Sequence, residues 1–419
     1  MFGTLKNAFK IPDLRRKIGY TLLMFLIIRL GAHIPVPGVD SSVIKQFLEE
    51  QGGMFGLFDA ISGGAFENMT IFAMGISPYI TASIVISLLT VAIPALEELQ
   101  KEGEEGRKKI AKYTRYGTIV LAAIQGFGTI FGFRNAGLFI KPGLWSYIVA
   151  LVSLTAGSAF MMWIGEQITE KGIGNGISLI IFINILSRAP QGVRVLLQYE
   201  APVATAILIV LFIIMIAFVV LIQEGERRIA VQYAKRTSGR KVYGGQSTHI
   251  PLKVNMSGVM PIIFASSLLQ FPMMITRFFI ANPTGWWGTV LKWLNINHWF
   301  GALLYLLLII FFSYFYTSIT FNPLEVADNM KKSGGFIPGI RPGKPTVQYL
   351  TKSLNYITLA GAIFLAIIAL APVLFTVIFK MNISFGGTSL LIVVGVALET
   401  VKQMEAQMLM RHYKGFLNS

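Results

Sequence analysis

Few residues in this 419-residue chain are placed to do covalent or metal chemistry. The four histidines, His33, His249, His298 and His412, fall in four separated segments, and cysteine is absent, so neither a metal site nor thiol chemistry is expected. Gly172-Ile173-Gly174-Asn175-Gly176 looks superficially like a phosphate loop, but it follows an apolar run rather than a strand and lacks the P-loop Lys. It reads better as a tight, flexible entry into the next segment. No cofactor and no enzymatic activity are expected. What recurs is isoleucine beside small or polar residues: Ile76, Ile80 and Ile84 at i, i+4, i+8, then Ile177 and Ile181, Ile263, and Ile392. Such spacing ordinarily marks a lipid-facing or core face; the alternative is a set of branched side chains closing a pore by contact and dewetting. Spacing alone does not choose between them.

The elements that must position these residues are membrane spans. Hydrophobic residues make up 54% of the chain and charged residues 13%, which excludes an ordinary soluble protein. Runs of spanning length occur at about 18–36, 70–93, 114–133, 145–165, 177–193, 201–222, 255–277, 299–321, 353–379 and 388–405. The formal net charge of +16 sits in the connections between them, where membrane orientation explains it before nucleic acid does. One alternate set of connections holds 27 of the 36 Lys and Arg, the opposite set holds 8, and Arg29 lies inside the first run. Both termini are therefore expected on the cytoplasmic side. The basic segment 1–17 precedes a full-length run without a small-residue cleavage site, so the first span is expected to stay. Ten spans divided after the fifth, at 18–193 and 194–405, would make two antiparallel halves with a working site at their interface. Ten helices without internal symmetry fit the hydropathy equally well.

Ionisable residues are missing from the middle of several spans, with none in 70–93, 117–133, 257–276 or 390–398. Ion-coupled carriers usually need relays there, so a secondary transporter is disfavoured, as is an intramembrane enzyme. Arg29 is expected to snorkel or pair. One apolar piece, about 57–66, is too short to cross and is followed by Gly63-Gly64, so it must lie against protein as a movable half-helix. The cytoplasmic loops 224–254 and 322–352 are long. The first carries Arg240 and Lys241 in a basic hairpin; the second carries Lys331, Lys332 and a Gly- and Pro-rich shaped turn containing Arg341. A docking surface is favoured over a purely topological signal, because topology needs charge but not defined turns. Trp286, Trp287, Trp293 and Trp299 read as an interfacial aromatic belt.

Six blocks then carry a resemblance: Ser62-Gly63-Gly64-Ala65 with Ile71 to Ile80, Lys101 to Lys108, Gly165 to Ser178, Gln246 to Asn255, Phe336 to Gly343, and Phe385 to Ser389. In this order they closely resemble the SecY/Sec61-alpha family, the pore-forming subunits of protein-conducting channels, over essentially the whole chain. The resemblance implies an all-α polytopic membrane protein with ten transmembrane helices in two inverted five-helix halves around a central pore, and a short plug half-helix. It implies passage of unfolded polypeptide across the cytoplasmic membrane and sideways release of apolar segments, driven by a partner. It places a pore ring at Ile76, Ile80, Ile177, Ile181, Ile263 and Ile392, and a plug at Leu57, Phe58, Ala60, Ile61, Gly63 and Gly64. It places a lateral gate at Ser87, where many relatives have Gln, Gln125 and Asn255, and motor or ribosome docking at Arg240, Lys241, Lys331, Lys332 and Arg341. The implied partners are SecE and SecG membrane subunits, the SecA motor ATPase, the ribosome, unfolded preprotein with its signal sequence, and the phospholipid bilayer. The tail, 406–419, is shorter than in some relatives.

Overall fold

The computed structural model describes residues 8–51, 59–134, 137–197, 202–233, 236–238, 241–243, 247–279, 285–296, 298–379 and 387–417. Every expected span coincides with a helix. These are α1 (Pro12–Gly31), α3 (Ser77–Ala92), α5 (Glu104–Gly132), α6 (Leu144–Lys171), α7 (Gly176–Leu197), α8 (Pro202–Glu224), α9 (Met260–Phe279), α11 (Trp299–Thr320), α13 (Lys344–Phe379) and α14 (Gly387–Leu417). Shorter helices are α2 (Ser42–Gln51), α4 (Pro94–Lys101), α10 (Trp286–Leu294) and α12 (Pro323–Lys332). Many large apolar side chains of the long helices face outward, including Leu22, Leu26, Ile124, Phe127, Val152, Ile213, Leu221, Leu307, Phe311 and Ile367. An apolar exterior is what a lipid-facing surface requires, because lipid, unlike water, is a good solvent for it.

The ends of the helices depart from the hydropathy reading in both directions. The first helix stops at Gly31, and 32–36 runs on as irregular chain, with Val36 N donating to Met69 O and Ile71 N donating to Ile34 O. The second begins at Ser77 rather than Thr70, because 63–76 forms successive turns with Gly63, Gly64 and Gly75 at positive φ. Pro94 forces Ile93 into an extended conformation, so the chain bends by 100° from α3 into α4. On the other side, α5, α13 and α14 run beyond their apolar cores into charged sequence. The 36-residue α13 is about 54 Å long, more than a bilayer core needs.

The packing repeats. In the first set α3 packs on α5, α5 on α6, α6 on α7, and α1 on α6 and α7. In the second, α9 packs on α11, α11 on α13, α13 on α14, and α8 on α13 and α14. Helix by helix these are the same contacts shifted by five spans, and five spans is an odd number, so the two sets run in opposite directions. The sets meet along two seams: α3 and α5 against α9, and α7 against α14.

Close approach within a set relies on glycine. A Cβ on Gly157 of α6 would lie 1.8 Å from the carbonyl oxygen of Ile71, and one on Gly176 would lie 1.9 Å from that of Gly165. Around Gly19 of α1 nothing lies within 4 Å. Gly157→Ala is therefore expected to lower stability by about 1–3 kcal/mol through forced backbone displacement. Gly19→Ala should be neutral or stabilising, since alanine is the better helix former. Thermal unfolding of the two purified variants in one detergent checks this contrast.

Candidate functional site

The five residues of the expected ring that sit on α3, α7, α9 and α14 come together with their neighbours where the two helix sets meet. Ile80 on α3, Ile181 on α7, Ile263 on α9 and Ile392 on α14 are all buried, as is Ile76, the residue that caps the N-terminus of α3. They belong to one contiguous apolar cluster, and Ile177 packs against it half-buried. Ile84 is in the same cluster, one turn beyond Ile80. The cluster is held on both sides by helix crossings at glycine: Gly165 of α6 faces the Ile177 Cδ1, and Gly395 of α14 faces Val259.

Next to this closure lies the short non-spanning piece. Residues 59–62 form one helical turn, and 63–76 return through turns to α3. Leu57 and Phe58 lie outside the described residues. Ala60 is buried, Ile61 packs against the isoleucine cluster, and Ala65 is part of it, while Phe66 joins a second cluster with Met69, Met74 and Leu154. The piece is not held by apolar contact alone. Arg188 of α7 forms ion pairs with Asp59 and with Glu67, the latter at 2.6 Å, and the Glu67 N–H donates to Asp59 Oδ1 at 2.8 Å. Asn184 Nδ2 donates to the Ile61 carbonyl at 3.0 Å, and Arg29 Nη1 donates to the Gly63 carbonyl at 3.2 Å. Burial pushes the Asp59 carboxyl up from its ordinary value, and the Arg188 guanidinium and the Glu67 N–H act against that shift.

This polar cluster decides one sequence expectation and adds to another. Of the two alternatives for Arg29, snorkelling or pairing, it takes the second, with the Gly63 carbonyl as its partner. The stretches 70–93, 117–133, 257–276 and 390–398 hold no ionisable residue, but Asp59, between two spans, is buried at 2% exposure. The α7 residues of the cluster lie 121 or more positions from their partners, and Asp59 lies outside every apolar run of spanning length, so the absence of charge from the spans does not bear on it. The signal that was present is the Asn184 and Arg188 pair at i, i+4 in the fifth span.

The expected gate residues are brought less closely together. Gln125 on α5 is buried, and its Oε1 has no hydrogen-bond partner among the described residues. Asn255 is buried too, but its Nδ2 donates to the Gly258 carbonyl and its Oδ1 accepts from Ser257, so it caps its own turn before α9. The carbonyl of Ser87, half-buried on α3, accepts from Thr90 Oγ1. Among the described residues no hydrogen bond joins Ser87, Gln125 and Asn255, although α3 and α5, which carry the first two, both contact α9, which follows the Asn255 turn.

The two long loops form one platform. β1 (Glu226–Tyr233) pairs antiparallel with β4 (Ser247–Lys253) from Glu226 opposite Lys253 to Gln232 opposite Ser247. β2 (Arg236–Ser238) and β3 (Lys241–Tyr243) form a smaller hairpin beyond them. β5 (Gly335–Phe336), from the second loop, adds to the other edge of β1, with Gln232 opposite Phe336. Alternation explains the sheet: Ile229 and Val231 point inward onto Leu252, Ala327, Met330, Ile337 and Leu350, and Arg228 and Ala230 point out. The second loop is thus shorter than 322–352, since α12 and the start of α13 are helical, but its turn at 333–343 is shaped as expected, with Gly334, Gly339 and Gly343 at positive φ. Lys331, Lys332 and Arg341 are exposed on it, and Thr346 Oγ1 donates to the Arg341 carbonyl. Arg240 lies outside the described residues; Lys241 is in β3. Because the chain has no cysteine, paired Gln232→Cys and Phe336→Cys substitutions should form a disulfide on mild oxidation, as opposed residues of adjacent strands allow. Peptide mass mapping should recover the two loops as one linked peptide; separate peptides would contradict the pairing.

A family model described as SecY matches residues 70–401. The protein translocase subunit SecY of Streptomyces coelicolor is 46% identical over the full length of both chains. Among solved structures, one described as concerning the plug domain of the SecY protein superposes with a TM-score of 0.65 at 18% identity, covering 94% of this chain and 92% of that one. Another, described as Sec61 in the canine ribosome-channel complex from the endoplasmic reticulum, gives 0.62 at 17% identity with the same coverage. Likeness at that identity speaks for the fold, and the full-length identity to the translocase subunit speaks for the lineage. On these grounds the chain belongs to the SecY family.

Proposed function

We propose that this protein is the channel through which unfolded polypeptides cross the cytoplasmic membrane and from which apolar segments pass sideways into the bilayer. The observation that carries the reading is the isoleucine cluster at the meeting of two helix sets, with a non-spanning piece docked against it, in a chain 46% identical along its whole length to a protein translocase subunit. Ile76, Ile80, Ile177, Ile181, Ile263 and Ile392 form the constriction. Their side chains are bulky, apolar and deformable, so they exclude water without binding any particular sequence. Residues 57–66 form the plug. The two halves, 18–193 and 194–405, part along the seam between α3 and α5 on one side and α9 on the other. Ser87, Gln125 and Asn255 line that opening. A substrate stretch of about 20 apolar residues gains free energy by leaving through it into lipid.

Orientation follows from the asymmetry of Lys and Arg, with both termini and the β-sheet platform in the cytoplasm. The platform is the docking surface for the driving partner. Arg240, Lys241, Lys331, Lys332 and Arg341 meet the SecA motor or the ribosome there, and SecE and SecG complete the membrane assembly. The structurally similar Sec61, described in a ribosome-channel complex, supports the ribosome as a partner.

Two measurements test the reading. Replacing Ile80 and Ile181 with Gly should raise the ion conductance of reconstituted idle channels by about tenfold or more, because two large apolar groups leave a dewetted constriction. Unchanged conductance would count against the constriction. Arg341→Glu should weaken motor or ribosome binding by about tenfold while membrane insertion and thermal stability stay unaltered, since the residue is exposed and supports no core contact. Sedimentation binding to inverted vesicles reads that out, and undiminished binding removes Arg341 from the docking surface.

A further inference from the structure

The polar cluster around residues 59–67 has no part in the sealing or docking roles above, and in it the buried Asp59 meets the partly exposed Arg188 and Glu67 beside the isoleucine cluster. We infer that Asp59, Glu67 and Arg188, assisted by Asn184 and Arg29, form a catch that fixes the plug in its closed seat and must break for the channel to open. The inference rests on the channel reading and adds to it the residues that set the opening equilibrium.

Four observations support the catch. Arg188 engages both ends of the 59–67 segment at once, and the Glu67 N–H closes the same loop onto Asp59. The segment is shaped for the guanidinium groups: a Cβ on Gly64 would lie 3.0 Å from Arg188 Nη2, and one on Gly63 would lie 2.8 Å from Arg29 Nη1. Both glycines have positive φ, so their carbonyls and ring-like turn are set without a side chain in the way. Third, Ile177, Ile181, Asn184 and Arg188 follow one another at i, i+4, i+7 and i+11, so seal and catch occupy one face of α7. A movement of α7 that loosens the isoleucines therefore moves the catch as well. Fourth, the segment's apolar contacts on the side of the isoleucine cluster are small or partial, Ala65 and half-buried Ile61, while its one large buried side chain, Phe66, packs into a different cluster, so toward α7 the polar contacts are its specific fastening.

The electrostatics make this fastening two-state. Pulling Arg188 from Asp59, whose side chain is 3% exposed, leaves an unpaired carboxylate in a low dielectric, which is strongly unfavourable, whereas the Glu67 arm is partly solvated and contributes less. Once water enters, the same separation costs little, as for any exposed ion pair. The catch therefore resists partial displacement and releases together with wetting of the pore.

The absence of native cysteine supplies the reporter. Ser62→Cys places a single thiol on the plug at a position that is 4% exposed. The full chain with its membrane partner subunits is reconstituted, and labelling by a membrane-impermeant maleimide is timed alongside resting conductance. Adding Arg188→Gln should raise the labelling rate about tenfold and raise the leak, as loss of a charge-assisted bond predicts. Glu67→Gln, which spares the more buried Asp59 pair, should raise it about threefold by weakening one arm only. A rate for Arg188→Gln within about twofold of the parent overturns the catch. If that variant does not accumulate, an unchanged rate in Glu67→Gln overturns it equally. Ile80→Gly with Ile181→Gly in the same reporter separates the two claims. Leak from that variant with unaltered labelling in the catch variants sinks the catch alone, whereas no leak from it sinks the channel reading.

Discussion

The structure depends on one constraint: backbone that leaves the helix at membrane depth must find every hydrogen bond within protein, because hydrocarbon offers none. Residues 59–76 are the case in point. Their N–H groups are met locally and from the α1 side, with Gly63 N on Ala60 O, Gly64 N on Asp59 O, Met69 N on Phe66 O, Thr70 N on Ala65 O, Gly75 N on Phe72 O and Ile71 N on Ile34 O. Ser62 Oγ accepts from Phe66 N and the Asp59 carboxylate from Glu67 N. The backbone N–H groups of this stretch are therefore met mostly within it, while α7 and α1 hold it through side chains, Asn184 on the Ile61 carbonyl and Arg29 on the Gly63 carbonyl. Movement of the stretch as a unit keeps the internal backbone bonds and gives up those side-chain bonds and the Arg188 ion pairs. A continuous helix through the same stretch would have no such freedom.

Much of the remaining architecture was legible in the sequence, and some of it was not. The ten spans follow from length and hydropathy, and each has its helix. Their ends do not follow, since α5 begins ten residues before its apolar core and α3 begins seven residues late. Charged sequence past the membrane surface is still good helix former, and Gly-rich apolar sequence inside it is not. The β-hairpin after α8 was visible as a basic segment broken by glycines. Its third strand, Gly335–Phe336, was not, because two residues carry no periodicity and the partner lies about a hundred positions away.

The candidate site divides along the same line. Isoleucine spacing in Ile76, Ile80, Ile177 and Ile181 is equally consistent with packing against lipid, and only the resemblance to a known family put those residues at a pore. Their common burial in one cluster is a tertiary fact. The ion pairs at Asp59, Glu67 and Arg188 were illegible for a different reason. Hydropathy asks whether charge lies inside a span, whereas these carboxylates lie between spans and reach inward only because the turns at Gly63 and Gly64 fold them back.

The two seams between the helix sets differ in what is buried along them. Along α7 and α14 the contact continues the apolar cluster, with Ile181, Ile185, Ile392 and Val396 buried, but these helices also carry Ser178, Asn184, Thr388 and Ser389 in buried positions, and the Asn184 Oδ1 has no partner among the described residues. Along α3, α5 and α9 the helices carry Thr118, Gln125, Thr129 and Ser266 in buried positions, and the Gln125 Oε1 stands without a partner among the described residues. A buried acceptor left unpaired costs about 1–3 kcal/mol, and that cost is recovered when water or a substrate amide reaches it. Apolar contact, by contrast, is lost outright when water enters. Both seams hold an unpaired acceptor whose cost wetting recovers, so polar burial alone does not choose between them. In the lateral opening proposed above, it is Gln125 that contributes this recovered cost, at the seam of α3, α5 and α9.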